Sequence, residues 1–117
     1  MRDTTTTVSE LKQLVSDFIA ERDWQPFHDP KNLSASIAIE AAELMEHFQW
    51  LRSDQLDGVG SDPVMMQQIR EEVADIAAYL ISFATRLDID LASALADKMR
   101  KNATKYPAAA YRGKFKA

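Results

Sequence analysis

The chain has 117 residues, a length typical of a single domain, and carries a formal net charge of −4. This acidic balance argues against a surface that binds nucleic acid polymers, and the absence of cysteine excludes disulfides, thiolate metal sites and cysteine nucleophiles. No apolar run approaches the roughly 20 residues that span a bilayer, and the start lacks a signal-peptide pattern. We therefore expect a cytoplasmic protein that does not bind membranes. Hydrophobic residues make up 46% of the chain and glycine is scarce, which favours a helical domain.

The first predicted helix follows a polar start, residues 1–6, that we expect to be disordered. Thr7 and Glu10 have the spacing of a capping box, in which each side chain binds the backbone of the other. Apolar residues then recur at helical spacing as far as Ile19, and the helix must end before Pro26.

The second predicted helix begins near Asn32 or Ser34, either of which can act as its N-cap, and runs to about Arg52. Residues 53–61 contain two of the three glycines and are predicted to form a loop.

The third predicted helix begins at Asp62 and Pro63, an N-cap followed by a proline in the first helical position. Asp88 or Asp90 begins the fourth, and Pro107 ends it. The residues of this helix expected to point inward are Leu91, Leu95, Met99 and Tyr106.

Four helices with short connections predict an all-α, antiparallel four-helix bundle. The expected organisation is a disordered N-terminus at 1–6, a helical domain at 7–107 and a flexible basic tail at 108–117.

Two carboxylate pairs occupy the second and third predicted helices: Glu40 with Glu43, and Glu72 with Asp75. Each pair has i,i+3 spacing, so its members share one helix face. Arg70 is the only lysine or arginine within two turns of either pair. One such pair is usually a solvated helix face, but two pairs beside apolar stripes and without local cations predict a shared divalent metal.

The ligand chemistry favours Mg²⁺, with Mn²⁺ as the alternative, because both prefer oxygen ligands. A di-iron bundle would need two Glu-x-x-His motifs, whereas Glu43 and His47 are four residues apart and the second pair has no histidine. Zinc would need histidine or cysteine ligands, and only His28 and His47 exist. Such a metal can bind phosphate oxygens and an attacking water. Which carboxylate orients that water stays open.

A polar stripe on the fourth helix supplies the complementary charge. Lys98, Asn102 and Lys105 are spaced i, i+4, i+7 and lie on one face. Beside the carboxylates, this stripe would stabilise a polyphosphate; taken alone, it is more often an ordinary solvated surface.

Aromatic side chains near the carboxylates can hold a nucleobase by stacking: Trp24, Trp50 and Tyr79, together with His28. The tryptophans are equally explained as core or as an oligomer interface.

Four segments, taken in order, resemble a known family: FHDPKNL, EAAELMEHFQW, EEVADIAAYL and KMRKNATKYP. The pattern resembles the all-α nucleoside triphosphate pyrophosphohydrolases of the MazG-like superfamily, and within it the dCTP pyrophosphatase branch. The likeness covers roughly residues 8–107.

This resemblance implies Mg²⁺-dependent hydrolysis of a nucleoside triphosphate, with dCTP or a modified dCTP as the expected substrate, to the monophosphate and pyrophosphate. It also implies a homodimer or homotetramer. The implied metal ligands and catalytic residues are Glu40, Glu43, Glu72 and Asp75. The implied substrate contacts are Lys98, Asn102, Lys105 and Tyr106 for the phosphates, and His28, Trp50, Tyr79 and Trp24 for the base and sugar. Two alternatives stay open: a nucleotide-binding regulatory module without turnover, and a structural oligomerisation domain.

Overall fold

The computed structural model describes residues 1–116, and every regular element within that range is a helix. The helices are α1 (Val8–Ala20), α2 (Pro30–Glu46), α3 (Pro63–Arg86), α4 (Leu91–Lys105) and the short α5 (Ala108–Tyr111), with 3₁₀ segments at Gln25–Phe27 and Ser53–Ser61. The predicted all-α class is therefore confirmed. None of these helices is long and apolar enough to cross a membrane.

The helix starts follow local capping chemistry. The Thr7 hydroxyl accepts from the amide of Glu10, whose carboxylate accepts from the amide of Thr7 at 2.6 Å, so the predicted capping box is confirmed. Asp62 caps α3 as predicted and accepts from the amides of Val64 and Met65, both at 3.1 Å.

The predicted bounds of α2 were wrong at both ends. Asp29 is the N-cap, accepting from the amide of Asn32 at 2.8 Å, because Pro30 is preset for the first helical position. After Glu46 the backbone changes to i→i−3 hydrogen bonds, such as Phe48 N–H to Met45 O at 3.0 Å, and α2 ends there instead of near Arg52. The predicted loop at 53–61 is a 3₁₀ segment.

Two aspartates in the left-handed region terminate helices. Asp23 follows α1 with φ 52°, and Asp88 follows α3 with φ 53°. The next amide in each case donates back five residues: Trp24 to Ile19 O at 3.1 Å, and Ile89 to Ala84 O at 2.8 Å. Both ends are Schellman motifs, in which glycine is the usual left-handed residue.

The core of the chain is the packing of α2 and α1 on α3. Its buried apolar side chains are Leu33 of α2 with Ile81 and Ala84 of α3, and Leu33 is fully buried. The Lys12 ammonium donates to Ile89 O at 2.6 Å, which fixes α1 to the connector before α4.

Within residues 1–116, α4 makes at most slight contact with the other helices. Leu95 is 58% exposed, Met99 51% and Tyr106 46%, so the prediction that these three point inward is wrong for the single chain. The Cα radius of gyration is 17.5 Å, against about 13 Å for a compact domain of this length. The larger radius reflects a fourth helix whose apolar face is not packed against the other described helices.

Candidate functional site

The four predicted carboxylates are brought to one place where α2 packs on α3. Glu40, Glu43 and Glu72 each offer an oxygen, and these oxygens lie within 4.8 Å of one another. Asp75 lies on the same face of α3, one turn after Glu72, and its charge acts on Glu40. The geometry follows from two i,i+3 pairs facing each other across one helix–helix interface.

The cluster contains two buried oxygens, Glu40 Oε2 and Glu72 Oε2, that have no hydrogen-bond partner among the described residues. Burial raises the pKa of Glu40 to about 7, and the neighbouring carboxylates of Glu43, Glu72 and Asp75 add to the effect. Buried polar atoms are normally satisfied and buried charges are normally paired. A cation between the helices would satisfy both requirements.

In the part of the chain described, the only basic side chain within ion-pair distance of these carboxylates is a histidine. His47 Nε2 lies 3.9 Å from Glu72 Oε1, too far for a hydrogen bond. No lysine or arginine substitutes for a metal here. An all-oxygen donor set with orphaned buried oxygens fits a hard divalent cation such as Mg²⁺ or Mn²⁺.

Three of the predicted base-binding residues form a stack next to the cluster. The ring of His28 is nearly parallel to Trp24, with centroids 6.3 Å apart, and to Tyr79, with centroids 6.4 Å apart. His28 Nδ1 lies 2.9 Å from Trp24 O. Because a carbonyl can only accept, Nδ1 carries the proton, and this bond fixes the orientation of the ring.

A cavity of about 140 Å³ lies beside this stack and is lined by one of the four carboxylates, Asp75. We call it the near chamber; its wall is Val15, Phe18, Ile19, Trp24, His28, Asp75, Ala78, Tyr79 and Ser82. It therefore joins a carboxylate to aromatic faces, the arrangement expected for a nucleotide with its phosphates at the cluster. The wall residues of α1 were missed because an amphipathic helix does not reveal which partner its apolar face meets.

The other predicted contacts are not brought to the cluster within the single chain. Trp50 is 85% exposed. Lys98, Asn102, Lys105 and Tyr106 lie on or next to α4, which makes at most slight contact with α2 and α3. The Tyr106 ring instead packs edge-on against Tyr111, with centroids 5.2 Å apart. Their roles stay predictions.

A family model described as the MazG-like family matches residues 35–114. The chain belongs to the MazG-like family. The matched region contains all four carboxylates and the whole of α3 and α4. In this MazG-like chain the aromatic stack at Trp24 and His28 lies before the matched region.

Relatives of this MazG-like chain include dCTP pyrophosphatase 1 of Homo sapiens, 37% identical over 102 residues, or 87% of this chain and 60% of that protein. The Mus musculus protein of the same name is 36% identical over 107 residues, or 92% of this chain and 63% of that protein. The chain thus spans about three-fifths of the length of these relatives. A solved pyrophosphatase from Archaeoglobus fulgidus is similar in fold, with a TM-score of 0.79, 35% identity, and coverage of 92% of this chain and 98% of that one.

Proposed function

We propose that this chain hydrolyses a nucleoside triphosphate to the monophosphate and pyrophosphate with a divalent metal ion, Mg²⁺ in preference to Mn²⁺. The observation that carries the proposal is the carboxylate cluster, whose buried Glu40 and Glu72 oxygens lack partners among the described residues, next to an aromatic chamber that Asp75 helps to line. The relatives named dCTP pyrophosphatase 1 make dCTP or a modified dCTP the first substrate to test.

The chain's own residues divide into two groups in this reaction. Glu40, Glu43, Glu72 and Asp75 would hold the metal, which when bound supplies Lewis-acid polarisation of phosphate oxygens and a water of lowered pKa. A carboxylate oxygen that is not a ligand accepts the proton of the attacking water. The stack around His28 binds the base and so aligns the triphosphate with the cluster.

The active form in this proposal is a homodimer or homotetramer. Leu95 and Met99 expose an apolar face on α4, and a second copy of the chain would cover it. Such an assembly would bring Lys98, Asn102 and Lys105 toward the phosphates of a neighbouring subunit, together with Tyr106 and the exposed Trp50. Light scattering after size exclusion measures the mass, and a monomer at micromolar concentration would contradict this part of the proposal.

The reaction is tested by incubating the protein with each common NTP and dNTP, with Mg²⁺ and with EDTA, and resolving products by anion exchange. We expect monophosphate and pyrophosphate in Mg²⁺ and none in EDTA. Asp75→Asn and Glu43→Gln should each lower kcat by about 10²-fold or more with an unchanged circular dichroism spectrum. Glu46→Gln, on the same helix but outside the cluster, is the matched control. Saturable nucleotide binding without product would instead indicate a regulatory module.

A further inference from the structure

His47 follows the last residue of α2 and lies beside the carboxylate cluster, yet nothing in the proposed reaction uses it. Its backbone is still helical, with φ −62° and ψ −24°. It therefore shares one face of the helix with Glu40 and Glu43, at the spacing i, i+3, i+7. The turn that contains it is closed by a hydrogen bond from Phe48 N–H to Met45 O at 3.0 Å. The imidazole is thus presented to α3 from an ordered backbone.

His47 lies at the end of the cluster away from the near chamber. The contacts of α2 and α3 run in opposite directions along the two helices. His28, just before α2, stacks on Tyr79, whereas His47, just after α2, lies next to Glu72. Asp75 helps to line the near chamber, and His47 does not. The imidazole is therefore placed to act on the carboxylates and not on the base.

The two oxygens of Glu72 have different surroundings. Oε2 is buried and has no hydrogen-bond partner among residues 1–116, whereas Oε1 is the atom that lies 3.9 Å from His47 Nε2. A carboxylate that binds a metal through one oxygen can accept a hydrogen bond at the other, and such outer partners fix the orientation of the ligand. The separation must shorten by about 1 Å to become a hydrogen bond, a distance that side-chain rotation covers.

The imidazole of His47 can be this donor in either charge state. A neutral imidazole carries its proton on one of the two nitrogens and a charged one carries a proton on both, so Nε2 can donate in both forms. The side chains of His47 and Glu72 are only 23% and 18% exposed, and a hydrogen bond to a carboxylate contributes more where water is largely excluded. Among the described residues, no lysine or arginine forms an ion pair with Glu72.

We propose that His47 is a positioning residue of the metal site: its Nε2–H donates to Glu72 Oε1 and holds Glu72 Oε2 toward the divalent cation. This role rests on the proposed function and deepens it. A glutamate side chain has three rotatable bonds, and a hydrogen bond that limits them reduces the entropy lost when the metal binds. His47 therefore sets the affinity for the metal without being a ligand and without touching the nucleotide.

The first measurement is Mn²⁺ binding to the protein without nucleotide, followed by the electron paramagnetic resonance signal of free Mn²⁺, which takes the same oxygen ligands as Mg²⁺. His47→Leu removes the donor and should raise the dissociation constant about tenfold or more, as is usual when an outer partner of a metal ligand is lost. His47→Gln retains an N–H donor and should stay within about threefold of the wild type. Gln49→Leu, at an exposed position two residues further on, is the matched control and should bind as the wild type does.

Turnover of dCTP gives a second readout. The Mg²⁺ concentration for half-maximal rate should rise by a similar factor in His47→Leu, whereas KM for dCTP at saturating Mg²⁺ should change by less than about twofold. A rise in KM for dCTP with unchanged Mn²⁺ affinity would place His47 on the phosphates and refute the positioning role. Equal weakening of Mn²⁺ binding in His47→Leu and His47→Gln would also refute it, because altered packing and not a lost donor would then be the cause.

Failure of this role and failure of the reaction are distinguishable. If His47→Leu binds Mn²⁺ as tightly as the wild type, the role is refuted while hydrolysis by the wild type stands. If the wild type hydrolyses no nucleotide, the reaction is refuted, and the order of Mn²⁺ affinities still decides the role of His47. An absence of saturable Mn²⁺ binding by the wild type would refute the role outright. If circular dichroism shows that His47→Leu does not fold, His47→Met provides the same loss of a donor.

Discussion

Replacing Glu40 by glutamine tests whether the carboxylate cluster is a strained anion site that a metal relieves. Its folded pKa of about 7 lies above its ordinary value of 4.5. Between these values the folded chain binds a proton that the unfolded chain has lost, so stability falls as pH rises through this window. Above the folded pKa the deficit remains in full. Glutamine has no such titration.

The size of the effect follows from the same two values. A pKa of about 7 in place of 4.5 corresponds to at most about 3 kcal/mol. Water reaches this partly exposed side chain, which reduces the figure to about 1–2 kcal/mol. For a domain of this size, 1 kcal/mol shifts Tm by about 4 °C. The Tm of Glu40→Gln minus the Tm of the wild type should therefore grow by about 4–8 °C as the pH is raised from 5 to 8.

The assay is thermal unfolding by circular dichroism in EDTA, at one fixed protein concentration because assembly also shifts Tm. Adding Mg²⁺ at pH 8 should then stabilise the wild type more than the variant, since the variant has lost one ligand. Glu46→Gln serves as the control and should follow the wild type in both buffers. The reasoning is refuted if Glu40→Gln and the wild type have the same pH dependence in EDTA, or if Mg²⁺ stabilises them equally.

Three other substitutions test the packing, a helix end and the assembly. Leu33→Ala should lower the free energy of unfolding in urea by about 2–5 kcal/mol, because Leu33 is 1% exposed at the centre of the core; a loss below about 1 kcal/mol would contradict this. Asp88→Gly should raise Tm by a few degrees by relieving the left-handed backbone at φ 53°, whereas Asp97→Gly inside α4 should lower it. Leu95→Glu should convert the assembly to a slower species in sedimentation velocity, and an unchanged distribution would count against α4 as the interface.

The parts of the site that the sequence predicted are those fixed by one helix or by two adjacent helices. The i,i+3 spacing of Glu40 with Glu43, and of Glu72 with Asp75, fixes each pair on one face whatever surrounds it. The start of α3 was equally local, since the aspartate before Pro63 can cap the helix without any tertiary contact.

What the sequence did not reveal depends on tertiary packing or on another copy of the chain. Asn32 looked like an N-cap, but its side chain donates to Phe27 O at 3.2 Å while Asp29 provides the cap. Ser82 lies in an apolar stretch, and its cavity exists only because α1 packs across it. The spacing of Lys98, Asn102 and Lys105 is a property of α4 alone and could be read from the sequence. Their position relative to the phosphates depends on how α4 packs in the assembly, which the sequence does not reveal.

The carboxylates proposed as metal ligands lie on two helices that follow one another along the chain, since α2 ends at Glu46 and α3 begins at Pro63. Closing such a hairpin costs less loop-closure entropy than pairing helices that are distant along the chain. Closing it also brings several negative charges together at the interface of α2 and α3. Under the proposed function, a divalent cation bound there would offset this repulsion, so the ion proposed for the chemistry would also stabilise the pairing of the two helices.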